Sequence, residues 1–94
     1  MSSSFAGIKK RAEQGDASSQ YSLGSMYAIG EGVPKDYEKA AKWFHLAAEQ
    51  RHVDAQLVLG SMYDAGEGVT QDYKEAVRWF RAAAEQGIAD AQFN

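Results

Sequence analysis

Two histidines and an aspartate are the residues of this chain best suited to acid–base or metal chemistry. His52 and Asp54 lie two residues apart in a predicted turn, and the chain has no cysteine that could complete a metal site around them. His45 follows Trp43 and Phe44 on a predicted helix, where we expect a partly exposed polar position. The sequence therefore predicts no catalytic residue, no metal and no cofactor.

Serines and a short glycine motif are the other candidates for chemistry. Four serines stand close together with no histidine base predicted nearby: Ser18, Ser19, Ser22 and Ser25. Gly30-Glu31-Gly32 resembles part of a phosphate-binding loop, but such a loop follows a strand, and here a helix precedes it. Trp43 and Trp79 could stack a ligand, yet their equivalent positions favour packing between repeats. None of these patterns predicts an enzyme.

The elements that carry these residues repeat along the chain at an offset of 36 residues. Residues 24–27 (GSMY) return as residues 60–63, and residues 30–33 (GEGV) return as residues 66–69. About half of the aligned positions are identical. A fixed period of this size is typical of a solenoid, in which each unit buries its apolar face against a neighbour.

Apolar residues at helical spacing predict helices nearly throughout and no strand. Each repeat has a helix A followed by a helix B, and the chain begins with a degenerate helix B and ends in a stub of helix A. The predicted bounds are about 4–14 for the first helix, 17–29 and 53–65 for helix A, and 36–50 and 72–86 for helix B.

Aspartate and glycine mark the ends of these helices. Asp36 and Asp72 are expected to cap helix B, and Gly30 and Gly66 to end helix A in a left-handed conformation. The turns from helix B to the next helix A are expected at Gly15, Arg51 and Gly87.

The core is expected between helix A and helix B of each repeat. Glycine inside a helix costs about 1 kcal/mol relative to alanine, so Gly24 and Gly60 indicate that helix B approaches closely there. Leu59, Tyr63, Phe80 and Ala83 are expected to form one inter-helix core. In that core, Phe80→Ala would cost about 3–5 kcal/mol.

Composition excludes several classes of function. The net charge of −3 and the pI near 5.3 argue against a nucleic-acid or anionic membrane surface, since both need clustered Lys and Arg. Residues 1–6 have neither a cationic stretch nor a long apolar run, so no signal peptide or membrane span is predicted. With no cysteine, a cytoplasmic location is expected, although a leader already removed is also compatible with the sequence.

The repeated pattern resembles the Sel-1-like repeat family, a relative of the tetratricopeptide repeats. The residues that carry the resemblance run from Leu23-Gly24 through Gly30-x-Gly32-Val33 to Ala47-Ala48-Glu49, and again from Leu59 to Glu85. The resemblance implies a right-handed superhelix of antiparallel helix pairs, used as an adaptor or scaffold, without shared catalytic machinery. We expect one all-α solenoid domain over residues 1–94, with units at 1–16, 17–52, 53–88 and 89–94.

By the same resemblance, helix A of each repeat lines a concave face that binds a protein or peptide. The predicted partner-binding residues are Ser18, Tyr21, Ser22, Ser25, Ala28 and Ile29 in the first repeat, and Asp54, Leu57, Val58, Ser61, Asp64 and Ala65 in the second. Five of these six pairs differ between the repeats. Positions facing a partner have no reason to match, although variation on an unused surface is the alternative explanation.

Two other functions stay open at this point. A small-ligand or hydrolase-like activity is suggested by some cysteine-rich relatives, and the absence of cysteine here weakens it. A self-assembling module is the second: Phe5 and Ile8 at one end, and helix B from Asp72 to Gln86 at the other, are expected to leave apolar faces open. Stacking of one end on the other could propagate as a fibre, whereas two-fold pairing of the C-terminal ends, which we favour, would give a homodimer.

Overall fold

Five helices follow one another along the chain, and no strand occurs within the part that the structure describes. The computed structural model describes residues 4–93, including the side chains of residues 4–88. The helices are α1 (Phe5–Glu13), α2 (Ala17–Ile29), α3 (Tyr37–Glu49), α4 (Val53–Ala65) and α5 (Tyr73–Phe93). The predicted all-α solenoid is confirmed, and α2 and α4 have the bounds predicted for helix A.

The helix ends form as the local sequence predicts. Asp36 and Asp72 accept hydrogen bonds from backbone amides three residues later, at 3.1 and 3.2 Å, and so cap α3 and α5. Gly30 and Gly66 end α2 and α4 with φ of +78° and +71°, a conformation that a Cβ disfavours. These residues set where each helix A ends and where each helix B begins.

Consecutive helices pack against each other in chain order, and the short turns between them make each pair antiparallel. Leu23, Phe44 and Leu59 are fully buried along these contacts. A Cβ on Gly24 would lie 2.9 Å from the Phe44 ring, and one on Gly60 would lie 2.9 Å from the ring of Phe80. The predicted close approach of helix B at both glycines is confirmed.

Four glutamines link each helix A to the helices beside it. Gln20 and Gln56 are buried, and each donates from Nε2 to a carbonyl of the preceding helix at 3.1 Å. Gln50 and Gln86 donate in turn to the side-chain oxygens of Gln20 and Gln56, at 2.9 and 2.7 Å. This network was not predicted from the sequence, although glutamine at equivalent positions of both repeats was the signal for it.

The predicted turn at Gly87 is wrong, because α5 continues through it to Phe93. The chain does turn at Gly15 and at Arg51, whose φ values are +99° and +68°. After these turns, α2 and α4 pack against the helix that precedes each of them. Within residues 4–93, no further helix follows α5 and packs against it. Continuing the helix keeps the backbone donors and acceptors hydrogen-bonded. Residues 89–93 therefore extend α5, and Asn94 lies outside the described residues.

The predicted core position of Phe80 is also wrong. Phe44 is 2% exposed, whereas Phe80, at the same position of the second repeat, is 37% exposed. The difference arises because α3 is packed on both sides, by α2 and by α4, while among the described residues α5 packs mainly on α4. Leu59 and Ala83 are buried as predicted.

Candidate functional site

The candidate site is the face formed by α2 and α4, to which the sequence assigns twelve partner-binding residues. Eight of these side chains are exposed: Ser18, Ser22, Ile29, Asp54, Leu57, Ser61, Asp64 and Ala65. Four are half-buried: Tyr21, Ser25, Ala28 and Val58. The helix faces that pack on the neighbouring helices carry other residues, such as Leu23 and Leu59. All twelve side chains are therefore at least partly accessible.

Tyr21 is a predicted site residue that also packs against other parts of the protein. Its ring stacks on His52, with centroids 4.8 Å apart and planes 22° apart, and tilts against Phe44 at 5.5 Å. Tyr21 therefore holds α2 against α3 and against the start of α4. It supports the face as well as contributing surface to it.

His52 has a structural role that was not predicted from the sequence. Its Nδ1 accepts a hydrogen bond from the Ala55 amide at 3.2 Å and so caps α4. Asp54, in the first turn of the helix, is exposed. Histidine is not among the residues usually found at this cap position, which explains why the sequence did not indicate it.

His45 is partly exposed, as predicted. Its Nδ1 lies 3.5 Å from the carboxylate of Glu49, one turn later on α3. The ring also meets the edge of Trp79 on α5, with centroids 5.5 Å apart. Among the described residues, no group of three His, Cys, Asp or Glu side chains is placed to hold a metal ion.

A cleft of about 540 Å³ opens between α1 and α2 beside the predicted face. Tyr21, Ser22 and Ser25 of the predicted site lie along it. The other lining residues were not in the predicted site: Phe5, Ile8, Met26, Glu31 and Gly32. Phe5 and Ile8, three residues apart on one side of α1, were the available signal. The cleft combines apolar side chains with serine hydroxyls and one carboxylate.

The glycine loop after α2 serves as a helix end and not as a phosphate site. The amides of Gly30 and Glu31 both donate to the carbonyl of Met26, at 2.8 and 2.9 Å. Because these amides are used inside the loop, they do not point outward to an anion. The capping interpretation of this motif is confirmed.

Contacts within the helix packing shift the pKa values of two side chains, Asp16 and Tyr63. Hydrogen bonds from the hydroxyl and the amide of Ser19 hold the pKa of Asp16, the cap of α2, below its usual value. Burial, reinforced by the charges of Glu75 and Asp72, raises the pKa of Tyr63. Both groups therefore report on structural contacts and not on a reactive site.

Within residues 4–93, no helix combines the length and the apolar character needed to cross a membrane.

The Sel1 repeat family model matches residues 17–52 and again residues 53–88. A search of curated proteins finds no match.

Solved structures of Sel1 repeat proteins are similar to most of this chain. A Sel1 repeat protein from Oxalobacter formigenes is 42% identical with a TM-score of 0.85, covering 86% of this chain and 33% of that one. The protective antigen c5321 of uropathogenic Escherichia coli, which has an SLR fold, is 48% identical with a TM-score of 0.84, covering 87% and 18%. Cysteine rich protein B of Helicobacter pylori is 34% identical with a TM-score of 0.84, covering 88% and 62%. The chain spans less than two thirds of each of these proteins.

Proposed function

Because this chain belongs to the Sel1 repeat family, we propose that it is an adaptor that binds a protein or peptide through the concave face formed by α2 and α4. Sel1 repeat proteins are generally scaffolds for protein interactions. What we propose specifically is which face, and which residues on that face, contact the partner.

The observation that carries the proposal is the contrast between the buried and the exposed positions of α2 and α4. Leu23 and Leu59 are identical and buried, as are Gln20 and Gln56. Five of the six exposed or half-buried pairs on the proposed face differ. Packing constrains the first set in the same way in both repeats, so a partner is the simplest reason for the second set to diverge in chemistry.

The chemistry of the face indicates what kind of peptide it would bind. Tyr21, Leu57 and Val58 supply apolar surface on which side chains of an extended or helical segment could anchor. Asp54 and Asp64 are exposed carboxylates with no acidic counterpart in the first repeat. We therefore infer a partner segment with apolar anchors and positive charge.

We propose no catalytic role and no nucleic-acid partner. His52 caps α4 and His45 pairs with Glu49, so both histidines already have structural contacts. The net charge of −3 disfavours binding to phosphate backbones. A cytoplasmic location fits a sequence without cysteine.

The proposal is tested by charge reversal on the face. Asp54→Lys combined with Asp64→Lys should reduce capture of basic partners from a native lysate about tenfold or more, while the helical circular dichroism signal is unchanged. The matched control is Glu13→Lys with Glu49→Lys, two exposed carboxylates at helix C-terminal ends, where lysine suits the helix dipole. Equal capture by both double variants and the parent would exclude this face.

A further inference from the structure

The caps of α2 and α4 stand at the same position of each repeat but differ in their acid–base chemistry. Asp16 caps α2 by accepting a hydrogen bond from the Ser19 amide at 2.9 Å. His52, one period of 36 residues later, caps α4 by accepting at Nδ1 from the Ala55 amide at 3.2 Å. A carboxylate stays charged in mildly acidic solution, whereas histidine side chains ordinarily take up a proton at about pH 6.5. The two caps therefore respond differently to mild acid.

Only the neutral ring of His52 can cap α4. A ring nitrogen of histidine accepts a hydrogen bond while it is unprotonated, and in the protonated ring both nitrogens are donors. A protonated His52 would point an N–H at the N–H of Ala55, and its charge would stand at the positive end of the α4 dipole. Both effects oppose the cap. The contact therefore stabilises the fold at neutral and higher pH and is lost as the ring takes up its proton.

The groups around His52 supply no partner that would hold a protonated ring in its present place. From α2 the ring meets Tyr21 at 4.8 Å, and the residues of α2 include no charged side chain. Glu49 of α3 lies 3.5 Å from His45, and no ion pair among the described residues includes His52. Three charged residues flank His52 along the chain, all of them exposed: Glu49, Arg51 and Asp54.

We propose that His52 makes the face of α2 and α4 sensitive to pH: the neutral ring holds the first turn of α4 against Tyr21, and the protonated ring releases that turn. Asp54 lies on this turn and is one of the two carboxylates of the proposed binding face. Release in mild acid moves Asp54 relative to α2 while its carboxylate stays charged. The consequence for binding rests on the adaptor function proposed above, whereas the release of α4 does not.

Nuclear magnetic resonance tests the release without any partner. His45→Gln leaves His52 as the only histidine of the chain, so that background is used for every variant. Between about pH 8 and pH 5, we expect the nuclear Overhauser effect between the rings of Tyr21 and His52 to disappear and the Cα shift of Ala55 to move towards its coil value, both with the midpoint of ring protonation. The Cα shift of Ser19, in the turn capped by aspartate, should stay constant. A ring-to-ring effect that persists after His52 is protonated would overturn the proposal.

Urea denaturation with capping residues that do not titrate in this range tests the energetic link. His52→Asn keeps a cap without a titrating group, and His52→Asp places the cap of the first repeat at the second. From about pH 7.5 to pH 5.5, the unfolding equilibrium constant of the chain with His52 should rise about fivefold more than that of either variant. An equal response to pH in all three chains would show that His52 does not carry the effect.

Capture from native lysate at the same two pH values tests the consequence for binding. Capture of basic partners by the chain with His52 should fall about fivefold in acid, whereas capture by His52→Asn should change little. Each chain is compared with itself at neutral pH, so the lost stack in His52→Asn does not enter the ratio. An equal fall for both chains would overturn the link between the cap and binding. No capture at either pH would contradict the adaptor function, while the resonance and urea results still decide whether His52 releases α4.

Discussion

Tyr21 of α2 stacks on His52, the residue that caps α4, with the two rings 4.8 Å apart and 22° from parallel. The same imidazole accepts a hydrogen bond from the Ala55 amide. One side chain therefore both begins α4 and joins it to the first helix of the preceding repeat. This contact sets how the two halves of the proposed binding face stand relative to each other.

Two substitutions separate the roles of His52. His52→Asn keeps a cap but loses the stack, and should destabilise the fold by about 0.5–1.5 kcal/mol. His52→Phe keeps a ring for Tyr21 but loses the cap, at a cost of about 1 kcal/mol. Urea denaturation measures both, with His52→Ala as the variant that lacks both contacts. If His52→Ala had the same urea midpoint as the parent, neither contact of His52 would contribute to stability.

The two equivalent phenylalanines should differ in their contribution to stability. Phe44→Ala removes a fully buried ring and should cost about 3–5 kcal/mol. Phe80→Ala removes a ring that is only partly buried and should cost about 1–2 kcal/mol. Denaturation at low micromolar concentration compares them while keeping self-association small. Equal losses would mean that the outer side of Phe80 is covered in solution.

The helix glycines provide a matched pair of tests. A Cβ at Gly24 would lie 2.9 Å from the ring of Phe44, which is enclosed and cannot move away, so Gly24→Ala should destabilise by about 1–2 kcal/mol. At Gly60 the ring of Phe80 can swing outward, and alanine gains about 1 kcal/mol of helix propensity, so Gly60→Ala should be close to neutral. Thermal melts rank the two variants, and the opposite ranking would contradict the packing described for them.

Asp16 should make the stability of α2 depend on pH in the acid range. Because its pKa is lowered in the folded chain, its charge contributes stability that is present above the usual carboxyl pKa and is lost as the pH falls through the lowered value. Asp16→Asn can still cap the helix but does not titrate. The difference in melting temperature between parent and variant should therefore shrink from pH 7 towards pH 2, and a constant difference would show that the Ser19 contacts do not depend on the charge.

The features predicted correctly from the sequence depend on a few neighbouring residues. The cap at Asp36 and the left-handed helix end at Gly30 are set by the residues around them, and the 36-residue repeat required only that the chain be compared with itself. The two errors depend on distant neighbours. Gly87 permits a turn but does not impose one, and Phe80 is a core position only where another helix lies over it.

For the candidate site, too, features set by nearby residues were predicted and contacts between distant residues were not. Exposure of the predicted face follows from helical periodicity, and all twelve residues are at least partly accessible. The cleft between α1 and α2 depends on how Phe5 and Ile8 stand opposite Met26, which no spacing rule specifies. The role of His52 was missed because its hydrogen bond and its stack join two helices that are separate in the sequence.

Photocross-linking tests whether the α2 and α4 face binds protein. Benzoylphenylalanine is placed singly at Ser22, Ser61 or Leu46, three exposed positions of which only the first two lie on the face, and each chain is irradiated in native lysate. We expect the Ser22 and Ser61 chains to form discrete cross-linked products that Asp54→Lys with Asp64→Lys suppresses, and the Leu46 chain to form none. Products from Leu46 alone, or equal products from all three positions, would show that this face is not the binding site.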